Sequence, residues 1–250
     1  MTRVSAKAEE IKPYDAERSK GEQVEAMFDN IAPAYDFMNS AMTFGLHRRW
    51  LRKALAAAGR DRQPERVVDL ATGTGDVALR LAALYPEARI TGVDLSEGML
   101  AVAREKVKDR ADLKERVVFE AGDCLDLRFA DDSFDLLTIA YGVRNFEDLE
   151  KGFREFYRIL KPGGVCMILE LSRPENRLVR LGYDLYSRTL IPLVGRMVSK
   201  DHRAYSYLPQ SIAAMPPRRR IAEMLREAGF KYVSFKSLTL GVVTYYLGRK

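Results

Sequence analysis

Two hydrophobic rhythms divide the chain. Across residues 24–58 apolar positions recur every three to four residues, and Trp50, Leu51, Leu55 and Ala58 fall on one helical face. Ala32-Pro33 interrupts that helical stretch. From Arg66 onward the rhythm shortens into compact apolar runs. RVVDLA (66–71), RITGVDL (89–95), VVFEAGD (117–123), FDLLTIAYG (134–142) and VCMILEL (165–171) predict five strands. Between them lie helix patterns. Val77, Leu81 and Leu84 mark one over 76–84, and residues 97–108 form another behind Ser96 as N-cap. Leu149, Phe153, Phe156, Tyr157 and Leu160 mark a third, stopped by Pro162-Gly163-Gly164. Strands alternating with helices predict an α/β protein with a mainly parallel sheet, covered by helices on both faces.

Residues 172–217, rich in Arg, Tyr, Leu and Pro, break the alternation and read as an inserted lid. Ile221, Leu225 and Ala228 then mark one more helix, with Gly229 near its end. YVSFKSL (232–238) and VVTYYLG (242–248) follow as strands, and Gly241 between them suits a hairpin. Residues 1–22 are polar and charged and read as a loose tail, or one ordered only by docking. With no repeat or low-complexity linker, 1–250 reads as one domain with an N-terminal helical extension and a lid.

Composition narrows the class. Hydrophobic residues make up 47% of the chain, enough for a core. The net charge of +6 favours anionic partners without choosing among them. Cys124, Cys166 and two histidines cannot assemble a Cys/His zinc cluster, so no metal is expected, and a reduced, cytoplasmic setting is the simplest reading. The N-terminus has no apolar core of a signal peptide, and no run of about 18 apolar residues predicts a membrane span.

The candidate chemistry begins at VVDLATGTGD (67–76). Gly73 and Gly75 let the backbone turn sharply beside a ligand, and the next helix presents unpaired N–H groups. Gly73-Thr-Gly75-Asp-Val-Ala78 satisfies the dinucleotide pattern, and Asp94 follows Gly75 by 19 residues, where a ribose-binding acid belongs. A nicotinamide site is open at this point. Asp69 inside the loop's own strand end suits a cationic amino group better than a pyrophosphate. Gly122-Asp123 ends the third strand, where an acceptor can read an adenine amino group. Acids at three successive strand ends suit S-adenosylmethionine, which has an amino group, a ribose and an adenine but no phosphate.

VVDLATGTGD, GVDLSEGML and LKPGG (160–164) resemble the class I S-adenosylmethionine-dependent methyltransferases. MFDNIAPAYDFMNSAMTFGLHRRW (27–50), TIAYGVRNF (138–146), ILELSRP (168–174) and TLGVVTYYLGRK (239–250) resemble, more narrowly, the ubiquinone/menaquinone C-methyltransferase family. The resemblance implies a Rossmann-like seven-stranded sheet whose last strand is antiparallel. It implies cofactor contacts at Thr74, Asp94, Gly122, Asp123 and Ala140, the last through backbone where some relatives carry Ser. It also implies a polyprenylated hydroquinone as substrate, in menaquinone or ubiquinone biosynthesis.

Methyl transfer to a ring carbon needs a positioned nucleophile, excluded water and help with a departing proton. Candidates are Asp76 beyond the glycine loop, Tyr141, Arg144 and Asn145 after the fourth strand, and His202 in the insertion. Arg144 and Asn145 are expected to orient the ring oxygens and stabilise a phenolate. His47, beside Arg48-Arg49-Trp50, reads as structural or interfacial. LVRLGYDLYSRTLIPLVGRMV (178–198) suits a lid at a membrane surface, with arginines reaching headgroups. An amino-directed nucleic-acid methyltransferase is disfavoured, because Ile139-Ala-Tyr-Gly replaces the Pro-Pro-aromatic motif such enzymes place after the fourth strand. Oligomeric state is left open.

Overall fold

The computed structural model describes residues 7–59, 63–198 and 202–250. One sheet holds β1 (Arg66–Leu70), β2 (Arg89–Asp94), β3 (Val117–Ala121), β4 (Phe134–Ala140), β5 (Leu160–Leu171), β6 (Lys231–Leu238) and β7 (Val243–Arg249). Their order is β3-β2-β1-β4-β5-β7-β6. The first five strands pair in parallel, and β7 runs antiparallel to both β5 and β6. This is the α/β architecture expected from the alternation, with the antiparallel last strand. The chain steps outward from β1 to β3, then returns to β4 on the other side of β1. The reversal opens a crevice at the strands' C-terminal ends.

The helices are α1 (Lys7–Glu10), α2 (Lys20–Ile31), α3 (Tyr35–Thr43), α4 (Leu46–Ala58), α5 (Asp76–Leu84) and α6 (Glu97–Val107). After them come α7 (Ala111–Lys114), α8 (Leu149–Ile159), α9 (Arg177–Val198), α10 (His202–Ala214) and α11 (Arg218–Glu227). Successive strand residues point to opposite faces, so the central strands feed two cores. Val67, Ile90, Leu136 and Met167 pack under α4, α5 and α6 through Leu55, Leu81 and Leu100. Val68, Leu137, Cys166 and Ile168 pack under α8 and α11 through Phe153, Phe156 and Leu225.

Two expectations need correction. β5 begins at Leu160 rather than after the glycines. Leu160 already pairs with Phe134, and the register then shifts before Leu136 meets Val165. Gly163 donates to the Lys250 carbonyl at 2.9 Å, so the chain's end holds the Pro-Gly-Gly turn in the sheet. Residues 7–22 are not a loose tail. Lys20 is buried, and its Nζ donates to the carbonyls of Ala8, Arg144 and Phe146 at 2.6, 3.0 and 3.1 Å. Glu9 accepts from the backbone of Leu149 at 2.9 Å, at the start of α8. A polar segment docks here because its side chains satisfy backbone groups that loops and helix ends leave unpaired. Burial pushes the Lys20 ammonium down to about 8.

Candidate active site

The turn after β1 is built from left-handed backbone. Ala71, Gly73 and Gly75 have φ of 48°, 56° and 81°. A Cβ at Gly75 would lie 2.8 Å from the Phe119 ring, so glycine is required there for space as well as for angle. Asp69 sits beneath the turn, not on a cavity wall. It accepts from the Thr72 and Thr138 hydroxyls, both at 2.6 Å, and burial pushes its carboxyl up to about 7. Asp69 therefore braces the loop rather than meeting an amino group directly. Thr74 donates to Asp36 at 2.5 Å, tying the turn to α3. Asp76, a catalytic candidate by sequence, pairs with Lys106 at 2.7 Å, and Lys106 also holds Asp36 at 2.6 Å. Asp76 lines neither of the cavities described below.

Above the turn lies a cavity of about 310 Å³. Gly73, Asp94, Asp123 and Ala140 line it, as expected of cofactor residues, and Asn145, expected to orient the substrate ring, lines this cavity and not the second one. Glu22 and Glu25 from α2 and Glu147 also reach it, so five carboxylates face it, and no Lys, Arg or His does among the described residues. Asp94 accepts from the Gly73 backbone at 2.7 Å and the Ser96 backbone at 2.9 Å, which fixes its carboxylate at the rim. Burial raises its pKa. Asp123 accepts from the Leu125 backbone at 2.8 Å. Gly122 is a spacer rather than a wall residue, since a Cβ there would lie 2.9 Å from Val93. α2 forms the cover, and its Asp29 anchors it by accepting from Ser96 Oγ at 2.6 Å and Gly98 N at 2.9 Å.

A second cavity of about 370 Å³ lies under α3, α9 and α10. Its walls are mostly apolar and aromatic side chains, with Arg144 and His47 also on them, and Phe28, Tyr35 and Tyr141 border both cavities. Tyr141 is strained, with φ 60°, and its buried Oη has no hydrogen-bond partner among the described residues. Arg144 is buried with Glu170, Nη1 to Oε1 at 2.8 Å, and the Arg144 backbone N–H donates to Oε2 at 3.2 Å. Arg144 Nη1 also donates to the Tyr141 carbonyl, while its buried Nε has no partner. Two buried donors, Tyr141 Oη and Arg144 Nε, are thus left without acceptors. Asn145 accepts from the Tyr207 hydroxyl at 3.1 Å, which ties α10 to the loop after β4. His202 opens α10, and its side chain lies outside the described residues.

A sequence model of the ubiE/COQ5 methyltransferase family matches residues 16–250. The chain belongs to this family. The demethylmenaquinone methyltransferase of Bacteroides fragilis is 47% identical over 243 residues, covering 97% of this chain and 98% of that protein. The ubiquinone/menaquinone biosynthesis C-methyltransferase UbiE of Geotalea daltonii is 42% identical, over 92% of this chain and 97% of its own. Among solved structures, the [4+2]-cyclase SpnF superposes with a TM-score of 0.69 at 18% identity, over 92% of this chain and 96% of its own. The phosphoethanolamine N-methyltransferase 2 of Haemonchus contortus, in complex with S-adenosyl-L-methionine, gives 0.60 at 19% identity, over 81% and 52% of the two chains. At such identities the shared property is the fold.

Within the family's matched span, several wall residues were not among the sequence candidates. Tyr35 and Phe28 sit in the quoted N-terminal motif but carry no chemical signature there. Glu170 did leave a signal, as the single acid inside the apolar run VCMILEL, since a charge in a buried strand needs a partner.

Proposed function

We propose that the protein transfers a methyl group from S-adenosylmethionine to a ring carbon of a polyprenylated hydroquinone, with demethylmenaquinol as the substrate. The observation that carries this reading is the contrast across one shared wall. A cavity lined by carboxylates and no basic residue adjoins an apolar cavity rich in aromatic side chains. Carboxylates suit a ligand with a sulfonium, an ammonium and hydroxyl donors, and they would repel a pyrophosphate. A nicotinamide cofactor therefore fits poorly. The names of the relatives supply the quinone, and those called UbiE support the benzoquinol precursor of ubiquinone as a second substrate.

Asp94 would take the ribose hydroxyls and Asp123 the adenine side, with Gly73 and Ala140 offering backbone. The bound cofactor supplies an electrophilic methyl carbon. The chain's own residues bind, orient and exclude water. Arg144 Nε and Tyr141 Oη supply the two waiting donors to the ring oxygens, where negative charge builds as the ring attacks. Arg144 keeps its charge, because Glu170 beside it favours the guanidinium.

The prenyl tail calls for an apolar path. Leu178, Leu181 and Leu185 are exposed and share one face of α9, with Arg177 and Arg180 beside them. Phe44, 76% exposed, and Leu46 lie on the second cavity's rim. No helix among the described residues is long and apolar enough to cross a membrane. These features suit a domain whose lid, residues 172–217, rests on the cytoplasmic face of a bilayer and admits the tail from it. The test is an assay offering reduced and oxidised short-tailed demethylmenaquinone and the benzoquinone equivalent, with and without vesicles. Turnover of a reduced quinone alone is expected. Turnover of neither, or equal turnover of oxidised and reduced forms, refutes the reading.

A further inference from the structure

A ring carbon attacks more readily when a base takes the proton of the ring hydroxyl as the new bond forms. Among the described residues, the second cavity has no Asp or Glu on its wall. Its ionisable groups are Tyr35, Tyr141, Tyr183, Tyr186, Tyr207, Arg144 and His47. Burial raises all five phenols, so none is a phenolate at neutral pH. Arg144 is a cation and only donates. Among the described residues, His47 is left as the one side chain on this wall basic enough to take a proton near neutral pH.

Its orientation is set by α3. The Thr43 hydroxyl has one proton and donates it to the Asn39 carbonyl at 2.6 Å. The 2.8 Å contact between Thr43 Oγ1 and His47 Nδ1 must then be donated by the ring. This places the imidazole proton on Nδ1 and the lone pair on Nε2, which makes no hydrogen bond to a described residue. Burial, then Arg48 on the same helix and Arg80 on α5, lower the His47 pKa, while Asp76 on α5 and Asp36 on α3 oppose them. Both of those acids are held by Lys106. The ring is neutral at physiological pH, as a base must be.

We infer that His47 is the general base of the reaction, with Nε2 taking the hydroxyl proton of the hydroquinone in the second cavity. The inference rests on the function proposed above. The O–H bond breaks and its electron pair stays on oxygen. That density passes through the ring to the attacking carbon, which forms the new C–CH3 bond as the S–CH3 bond breaks and sulfur keeps the pair. The product of this step is a neutral dienone. His47 returns its proton to the carbonyl oxygen while the ring C–H proton leaves to water, and aromaticity is restored. One proton is released overall and His47 ends as it began.

The test compares wild type, His47→Gln and Thr43→Val with short-tailed demethylmenaquinol, beside calorimetric titration of S-adenosylmethionine. Nitrogen-15 NMR of the histidines, assigned with His202→Gln, supplies a readout that does not depend on turnover. His47→Gln is expected to lower kcat by about 10²–10⁴-fold with cofactor affinity unchanged. Wild-type kcat should fall in acid with an apparent pKa below the ordinary imidazole value, and His47→Gln should lose that limb. NMR should show the Nδ1–H tautomer in wild type, weakened in Thr43→Val together with a partial loss of kcat. Near-wild-type kcat in His47→Gln, an acid limb that survives it, or an Nε2–H tautomer in wild type would each overturn the assignment. If wild type binds the cofactor but methylates no hydroquinone, the substrate reading itself fails.

Discussion

Five carboxylates face the cavity above the glycine loop, and none faces the neighbouring cavity under α9 and α10. Phe28, Tyr35 and Tyr141 border both. Their polar groups differ in kind as well as number. In the first, Asp94 and Asp123 are acceptors fixed by backbone N–H groups. In the second, Arg144 Nε and Tyr141 Oη are donors with no acceptor. One side is made to receive a cation, the other to stabilise an oxygen that becomes anionic. Because those three rings border both sides, acceptors and donors meet across a shared edge where the methyl group would pass.

Removing Glu170 attacks that arrangement most severely. It leaves the Arg144 charge buried and unpaired, so Glu170→Ala should cost about 3–5 kcal/mol of folding free energy in urea titration, and turnover should fall with it. A loss below about 1 kcal/mol would mean the pair is solvated, as surface pairs are. Asp94→Ala should weaken S-adenosylmethionine by about ten- to a hundredfold, the equivalent of roughly 1–3 kcal/mol for lost hydrogen-bond partners, as read by calorimetry. Quinol KM should stay unchanged, and a shift of equal size there would show that the cavities are not independent.

Tyr141→Phe removes a hydroxyl that has no partner, so stability should hold or rise. Turnover should drop by about three- to tenfold, the worth of one hydrogen bond. Unchanged turnover would place the hydroxyl away from the substrate oxygens. Asp76→Asn has the smallest expected effect. Its bond to Lys106 is half-exposed, which limits the change to about 1 kcal/mol or less by thermal melting, with kcat preserved. A large loss of kcat would restore Asp76 to the catalytic candidates.

The sheet was legible because its central strands bury both faces, which produced apolar-rich runs such as FDLLTIA. Asp94 and Asp123 were legible because they stand at or just past strand ends on the ligand-binding edge, whereas Asn145, five residues beyond β4, was expected on the substrate side and lines the acid-lined cavity. Asp69 is buried beneath the turn and lines neither cavity. It stands in the same motif, but Thr72 and Thr138 claim its oxygens from below. For residues 7–22 polar composition left a loose tail and a docked one both open, and the docked one holds because Lys20 and Glu9 bond distant backbone. The left-handed turns at Ala71 and Tyr141 could not be read at all, since neither residue is the glycine that normally announces one. His47 was passed over because its importance lies in what the cavity wall lacks, and a wall exists only after folding.

The acid-lined cavity also shapes what happens after the chemistry. On the proposed reaction, the sulfonium becomes an uncharged sulfide when its methyl group departs, so the ligand's net charge falls by one while the five carboxylates stay where they were. Attraction that helped draw the cofactor in is withdrawn at the moment of transfer, and the spent molecule is held less firmly than the fresh one. Turnover thereby loosens its own by-product. Because Coulombic attraction between partly exposed charges is screened by salt, the preference for the charged form over the spent form should narrow as ionic strength rises.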